Sequence, residues 1–184
     1  MTHAPRLRFS HIGLHVHDLP PMVEFYTQLP GLEVPDRGPL GIPGNPEIAF
    51  LSGDPSEHHQ IALVEGRNDG SIERGVIQQI SFSVETLDAL RTVRRRAEAL
   101  GVSPFLPISH GNASSIYFPD PEENGIECFV PSTWHVRQLV VDGFDLSLPD
   151  AEILEQTRAQ YADTPGFQPA EDWRESLAKQ LEQR

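Results

Sequence analysis

Cysteine is nearly missing from this chain: Cys128 is the one cysteine in 184 residues. An intrachain disulfide and a cysteine-rich zinc site are therefore excluded. Positive charge is also scarce, with 14 lysines and arginines against 27 aspartates and glutamates and a net charge of −13. Nucleic acid and anionic membrane surfaces are gripped by clustered positive charge, so neither is an expected partner. The acidic surplus serves solubility instead. No apolar run approaches the about 20 residues that a membrane helix needs. The opening stretch MTHAPRLRFSH has no apolar signal core. A single cysteine and the absence of an apolar signal core fit the cytoplasm as the expected compartment. The length suits one compact fold with a sizeable core.

What is present concentrates in residues 110–127, HGNASSIYFPDPEENGIE. Residues 115–118 are β-branched and aromatic, as strands prefer. Residues 120–125 are turn chemistry, with Pro121 fixing one φ angle and Asn124-Gly125 offering positive φ. Residues 126–130 form the return strand, apolar but for Glu127. By pattern alone that carboxylate is either an outward charge on a half-buried strand or a buried ligand.

Residues 7–16 read as a strand, with Ile12, Leu14 and Val16 on one face and His11, Gly13 and His15 on the other. Asp18 is placed to cap a helix with Pro20 and Pro21 in its first turn. Met22, Phe25, Tyr26 and Leu29 are its buried stripe, and Gly31 ends it. Strand-like pieces follow at 32–34, 48–51 and 59–64, so the first unit is β-α-β-β-β. Residues 65–75, EGRNDGSIERG, read as a linker. Then the pattern restarts: QISFSVETL at 79–87 matches HIGLHVHDL at 11–19 in its order of polar and apolar positions. A helix over 87–100 puts Leu90, Val93 and Leu100 inside and leaves Arg91, Arg94, Arg95 and Arg96 solvated, until Gly101 stops it. Strands follow near 105, at 115–118 and at 126–130.

The chain is thus α+β with an internal duplication. Two tandem βαβββ modules, at about 7–66 and 76–131, make a paired domain over 1–131, and a helical extension occupies 132–184. The extension offers Ile153, Leu154, Ala159 and Tyr161 on one helix and Trp173, Leu177 and Leu181 on the last. It docks on the paired domain or on a second subunit. The duplication matches His11 with Gln79 and Gln60 with Glu127. Packed about a pseudo-twofold axis, these four converge in a half-open barrel around a metal site. An imidazole, two amides and a carboxylate can all ligate a metal, which favours the ligand reading of Glu127.

These repeats and polar positions resemble the vicinal oxygen chelate superfamily: glyoxalase I, methylmalonyl-CoA epimerase, fosfomycin and bleomycin resistance proteins, and type I extradiol dioxygenases. The resemblance covers roughly residues 7–131 and is greatest for one-domain extradiol enzymes. Three stretches carry it: Ser10-His11-Ile-Gly-Leu; His58-His59-Gln-Ile-Ala-Leu; and His110 followed by Tyr117, Asp120-Pro121 and Glu127. The resemblance implies a metal-dependent dioxygenase that cleaves a catechol-type aromatic with O2. It implies His11, Gln79 and Glu127 as metal ligands, His59 as acid/base, and His110 and Tyr117 as hydrogen-bond donors to bound substrate. Iron(II) is the implied metal, with manganese(II) or another divalent ion as the alternative. A homodimer is implied by analogy.

The sequence departs from the family at Gln79, where a second metal histidine is usual, and at Glu123, where glycine or proline is usual. An amide oxygen is a weaker, harder donor than imidazole, which disfavours iron relative to manganese or magnesium. Alternation lets only one of His59 and Gln60 face inward unless a bulge intervenes. The extradiol reading takes His59. A glyoxalase-type isomerase or lyase takes Gln60 as a fourth ligand. A metal-free small-molecule binder is the third reading. Cys128 reads as a buried apolar residue, and His15, His17 and His58 as surface or rim.

Overall fold

The computed structural model describes residues 8–68, 77–138 and 140–182. Leu7, the start of the second module at 76 and most of the expected linker, 69–75, lie outside the described residues. The chain packs as two units: one takes Ala4–Gln78 with Pro119–Gly125, the other Gln79–Phe118 with Ile126–Arg184.

The N-terminal unit runs β1 (Ile12–Val16), α1 (Leu19–Gln28), β2 (Glu33–Pro39), β3 (Glu47–Ser52) and β4 (Ile61–Glu65). Its sheet has the order β1-β4-β3-β2, with β1 parallel to β4. Helix α1 packs on β3 and β4, burying Leu19, Met22, Phe25 and Tyr26. Strand β1 begins at Ile12, so His11 stands just before it. Asp18 makes no side-chain cap. Glu122 does the work instead: its Oε1 accepts the backbone N–H groups of His17 (2.8 Å) and Asp18 (2.9 Å).

The turn that carries Glu122 is tied by Asp120. Asp120 Oδ1 accepts the N–H groups of Glu122 and Asn124, both at 2.9 Å. Its Oδ2 accepts the Asn124 side chain at 2.9 Å and the Tyr26 hydroxyl at 3.0 Å. Positive φ falls not on Asn124-Gly125 but on Glu123, at 64°. The Asp120 bonds fix the turn one residue earlier than the Asn-Gly pair suggests. A residue with a Cβ, Glu123, is therefore held in the left-handed region.

The C-terminal unit repeats the plan: β5 (Ile80–Ser83), α2 (Leu87–Ala99), β6 (Leu106–Ser109), β7 (Ala113–Pro119) and β8 (Gly125–Pro131). The Thr86 hydroxyl caps α2 by accepting the Ala89 N–H at 3.1 Å. The extension adds β9 (Trp134–His135), β10 (Asp142–Gly143), α3 (Asp150–Tyr161), β11 (Gln168–Pro169) and α4 (Ala170–Glu182). Strand β10 joins the sheet edge, giving β10-β6-β7-β8-β5, and β9 pairs with β11. Among the described residues neither unit's sheet closes on itself. The fold is α+β with sheets of the βαβββ type, as the sequence pattern implies.

Several helix expectations change. Leu100 is 43% exposed, and Ala97 takes the inner position with Leu90. Arg91 is not solvated: it donates to the carbonyls of Leu146 (2.8 Å) and Leu148 (2.7 Å) and pairs with Asp150 at 2.6 Å. It lashes the start of α3 to α2. On α3, Ile153, Thr157 and Tyr161 are buried, whereas Leu154 and Ala159 are exposed. Trp173, Leu177 and Leu181 of α4 are all exposed, and Trp173 stacks on His135 with ring centroids 4.6 Å apart. Among the described residues no helix is long and apolar enough to cross a membrane.

Candidate active site

Strand alternation in the C-terminal unit sorts its polar residues. Ile116 and Phe118 of β7 and Ile126 and Cys128 of β8 are buried apolar positions. The alternate positions, Ser115 and Tyr117 on β7 and Glu127 on β8, share the opposite face. Ser81 of β5 stands beside Glu127 in the parallel ladder. Glu127, 7% exposed, therefore sits under a ring of donors. Its Oε1 accepts from Ser115 and Tyr117, both at 2.7 Å. Its Oε2 accepts from Ser81 at 2.6 Å and from the Gln79 side-chain amide at 2.8 Å. Burial opposes the charge. The bonds from Ser81, Tyr117 and Ser115, with the nearby His110, outweigh it and hold the carboxyl below its ordinary value. Glu127 is a buried anion, not a surface charge.

His110 extends the array. Gly111 follows it at φ 73°, and a Cβ there would meet the Val136 side chain at 3.0 Å, so glycine is required. His110 Nδ1 lies 2.7 Å from the Val140 carbonyl and must donate to it. His110 Nε2 lies 2.8 Å from the Tyr117 hydroxyl and 3.9 Å from Glu127. A phenol has one proton. When Tyr117 gives it to Glu127, the His110–Tyr117 bond needs a proton on Nε2 as well. The His110–Tyr117–Glu127 chain is thus a continuous hydrogen-bonded line from the imidazole edge to the carboxylate. Burial, then the Glu127 bond and charge, push the Tyr117 phenol above its ordinary value, so it stays a donor. Burial pushes the neighbouring Cys128 thiol up to about 12, consistent with an inert packing residue.

His11 and His59 lie in the N-terminal unit, with ring centroids 4.2 Å apart. The His59 ring packs on Phe50 at 4.6 Å. Burial, then the neighbouring His11 and His58, lower the His59 pKa, so it is neutral at physiological pH. Gln60 is used differently: its Oε1 accepts the Gly53 N–H at 2.9 Å, closing a loop. The ladder also revises its counterpart. Ile12 pairs with Ile61 in one sheet and Ile80 with Ile126 in the other. Matching the first strands puts Ala62, not Gln60, at the position of Glu127. His15, His17 and His58 are exposed.

The structure brings Gln79, His110, Tyr117 and Glu127 together in one unit, and His11 and His59 in the other. Sequence reasoning missed Ser81 and Ser115. Each stands two residues from a chosen residue, Gln79 or Tyr117, so strand alternation could have found both. Among the described residues no group of three or more His, Cys, Asp or Glu side chains could hold a metal. Gln79 and Glu127 nevertheless present an amide and a carboxylate side by side, a donor pair that suits a hard divalent cation. A half-turn of the amide would offer its oxygen in place of the nitrogen now bonded to Glu127.

The glyoxalase/bleomycin resistance protein/dioxygenase superfamily model matches residues 8–128, and the chain belongs to that superfamily. Biphenyl-2,3-diol 1,2-dioxygenase 3 of Rhodococcus globerulus is 31% identical over 131 residues, covering 69% of this chain and 64% of that protein. The chain thus matches just under two thirds of that relative's length. Biphenyl-2,3-diol 1,2-dioxygenase 2 of the same organism is 26% identical over 171 residues, 90% of this chain and 76% of that one. Among solved structures, a glyoxylase/bleomycin resistance protein/dioxygenase domain from Frankia sp. EAN1pec has a TM-score of 0.58 at 22% identity, covering 70% of this chain and 100% of its own. A fosfomycin resistance protein mutant from Listeria monocytogenes, complexed with Mn(II), has a TM-score of 0.53 at 23% identity, covering 67% and 91%. These two structures support the fold alone.

Proposed function

We propose that the protein is a metal-dependent extradiol-type dioxygenase that opens the ring of a catechol-type aromatic with O2. The observation that carries this is the His110–Tyr117–Glu127 chain, with 2.8 Å and 2.7 Å links, in a sequence 31% identical to a biphenyl-2,3-diol dioxygenase. A simple binding scaffold has no need of such a line of proton-active groups. His11, Gln79 and Glu127 would hold the metal, iron(II) first and manganese(II) as the alternative. When bound, the metal acidifies a substrate hydroxyl and holds both reactants close. Neutral His59 takes the substrate proton and later returns it. Tyr117 and His110 turn their hydrogen bonds toward oxygen atoms where charge develops. Leu106 and Ile108 stand opposite Tyr117 and Ser115 in the ladder, and Phe129 follows Glu127 on the same face, giving the ring an apolar wall. A homodimer in the cytoplasm belongs to the same reading.

Two other readings face specific observations. A glyoxalase-type isomerase needs Gln60 as a ligand, and the bond from Gly53 to its amide oxygen counts against that. A metal-free binder draws support from Glu127, whose two oxygens already accept four hydrogen bonds. The test is anaerobic reconstitution with iron(II) or manganese(II), then oxygen uptake with a panel of catechols that includes 2,3-dihydroxybiphenyl. Metal binding is followed in parallel by calorimetry. Uptake with ring-opened product, lost in His11→Ala, is expected. Absence of uptake with both metals and every catechol overturns the proposal.

A further inference from the structure

We propose that Asp36 and His58 are positioning residues that fix the tautomer of His59, leaving its Nε2 as the unprotonated nitrogen. The catalytic consequence rests on the reading of His59 as acid/base; the relay itself rests on contacts within the N-terminal unit.

Asp36 lies on β2, opposite Phe50 of β3. Phe50 is a shared platform, packing on the ring of His58 at 5.4 Å and on that of His59 at 4.6 Å. Asp36 Oδ2 is 2.9 Å from His58 Nε2. His58 Nδ1 is 3.0 Å from His59 Nδ1. A carboxylate only accepts, so His58 Nε2 carries a proton. When His58 is neutral its single N–H is the one on Nε2, which leaves Nδ1 as an acceptor. Two nitrogens at 3.0 Å need one proton between them. That proton belongs to His59 Nδ1, and neutral His59 is then bare at Nε2. A histidine without this chain exchanges between two tautomers, one of which cannot take a proton at Nε2.

An exposed carboxylate–histidine pair has a plainer reading as a surface ion pair. The His58 and Asp36 side chains are 55% and 70% exposed, and such pairs add little stability. The contact that the plainer reading leaves unexplained is the nitrogen–nitrogen approach to His59. The same exposure means that removing either residue should leave the fold intact.

The test is long-range 1H–15N correlation NMR of the histidine rings in labelled, metal-free protein at about pH 8.5, above the ordinary histidine range. Wild type should show His59 with protonated Nδ1 and bare Nε2, and His58 with protonated Nε2. In Asp36→Ala and in His58→Phe, which keeps an aromatic ring on Phe50, His59 should become a mixture. Asp36→Glu keeps a carboxylate, which only accepts, and should restore the single tautomer. A mixed or Nε2-protonated His59 in wild type, or an unchanged tautomer in His58→Phe, overturns the relay. In the reconstituted enzyme, Asp36→Ala and His58→Phe should lower kcat by about 10- to 100-fold with KM little changed, and Asp36→Glu should recover most of it. A fixed tautomer beside full activity in His59→Gln would sink the acid/base reading and leave the relay standing.

Discussion

Glu127 keeps its charge inside the C-terminal unit because neighbouring strands supply donors to both oxygens. Ser115 is fully buried and donates to it at 2.7 Å. Replacing Ser115 with alanine should cost about 1.5–3 kcal/mol at neutral pH, the usual loss of a hydrogen bond to a charged group. The sign of the pH effect follows from the lowered Glu127 value. A depressed carboxyl adds stability above its unfolded value and loses it as pH falls through the folded one. The gap between wild type and Ser115→Ala should therefore narrow toward acid, as urea titrations at several pH values would show; a constant gap would mean that Ser115 acts by packing. Glu123 offers an opposite case. Its φ of 64° strains a residue with a Cβ, by about 1–2 kcal/mol, and glycine gives back part of that in chain entropy. Glu123→Gly should raise stability by up to about 1 kcal/mol, read as a higher urea midpoint at an unchanged slope. At this scale the sequence exposed the residues with distinctive chemistry, Glu127, Tyr117 and His110. It hid Ser81 and Ser115, because serine is common on strands and its partner is set by the ladder.

Between elements, the turn Pro119–Gly125 matters beyond its length. Asp120 is 4% exposed and accepts the buried Tyr26 hydroxyl of α1 together with three donors of its own turn. Asp120→Ala strands those donors and should destabilise by about 3 kcal/mol or more. Tyr26→Phe removes one donor from a carboxylate that keeps three others, and should lose about 1.5 kcal/mol, the low end for a hydrogen bond to a charged group. Denaturation of both variants ranks the two, and equal losses would mean that the turn bonds contribute nothing. The duplicated β-α-β-β-β order was legible because alternation, helix stripes and the glycines after each helix recur at matched intervals. The register was not. Gln60 and Glu127 align in polar pattern, but the ladder pairs Gly13 with Ala62 and Ser81 with Glu127. Backbone hydrogen bonds between distant strands choose the register, and a two-residue slip keeps every side chain on its face. Polar pattern cannot detect such a slip. The role of Arg91 was hidden for a related reason: its acceptors are carbonyls of Leu146 and Leu148, which carry no side-chain signature.

For the whole molecule, the net charge of −13 sets a direction that local contacts do not cancel. Pairs such as Arg37–Glu47 and Arg94–Glu98 are substantially exposed and each contributes about 0–1 kcal/mol. Repulsion among the surplus carboxylates acts over a longer range and opposes the compact state. Sodium chloride at about 0.3 M shortens the screening length below 10 Å, which weakens repulsion more than it weakens contact pairs. Thermal stability at pH 7 should therefore rise between about 20 mM and 300 mM NaCl, by roughly 1 kcal/mol or a few degrees. Chloride is the right anion for this, because sulfate stabilises most proteins through surface exclusion. The control lies in the same charge count. Near pH 4.9, the isoelectric point of the sequence, net repulsion vanishes and only attractive pairs remain to be screened. The salt effect should shrink there or change sign. A fall in stability with salt at pH 7 would show that the ion pairs, not the acidic surplus, dominate the electrostatics of this chain.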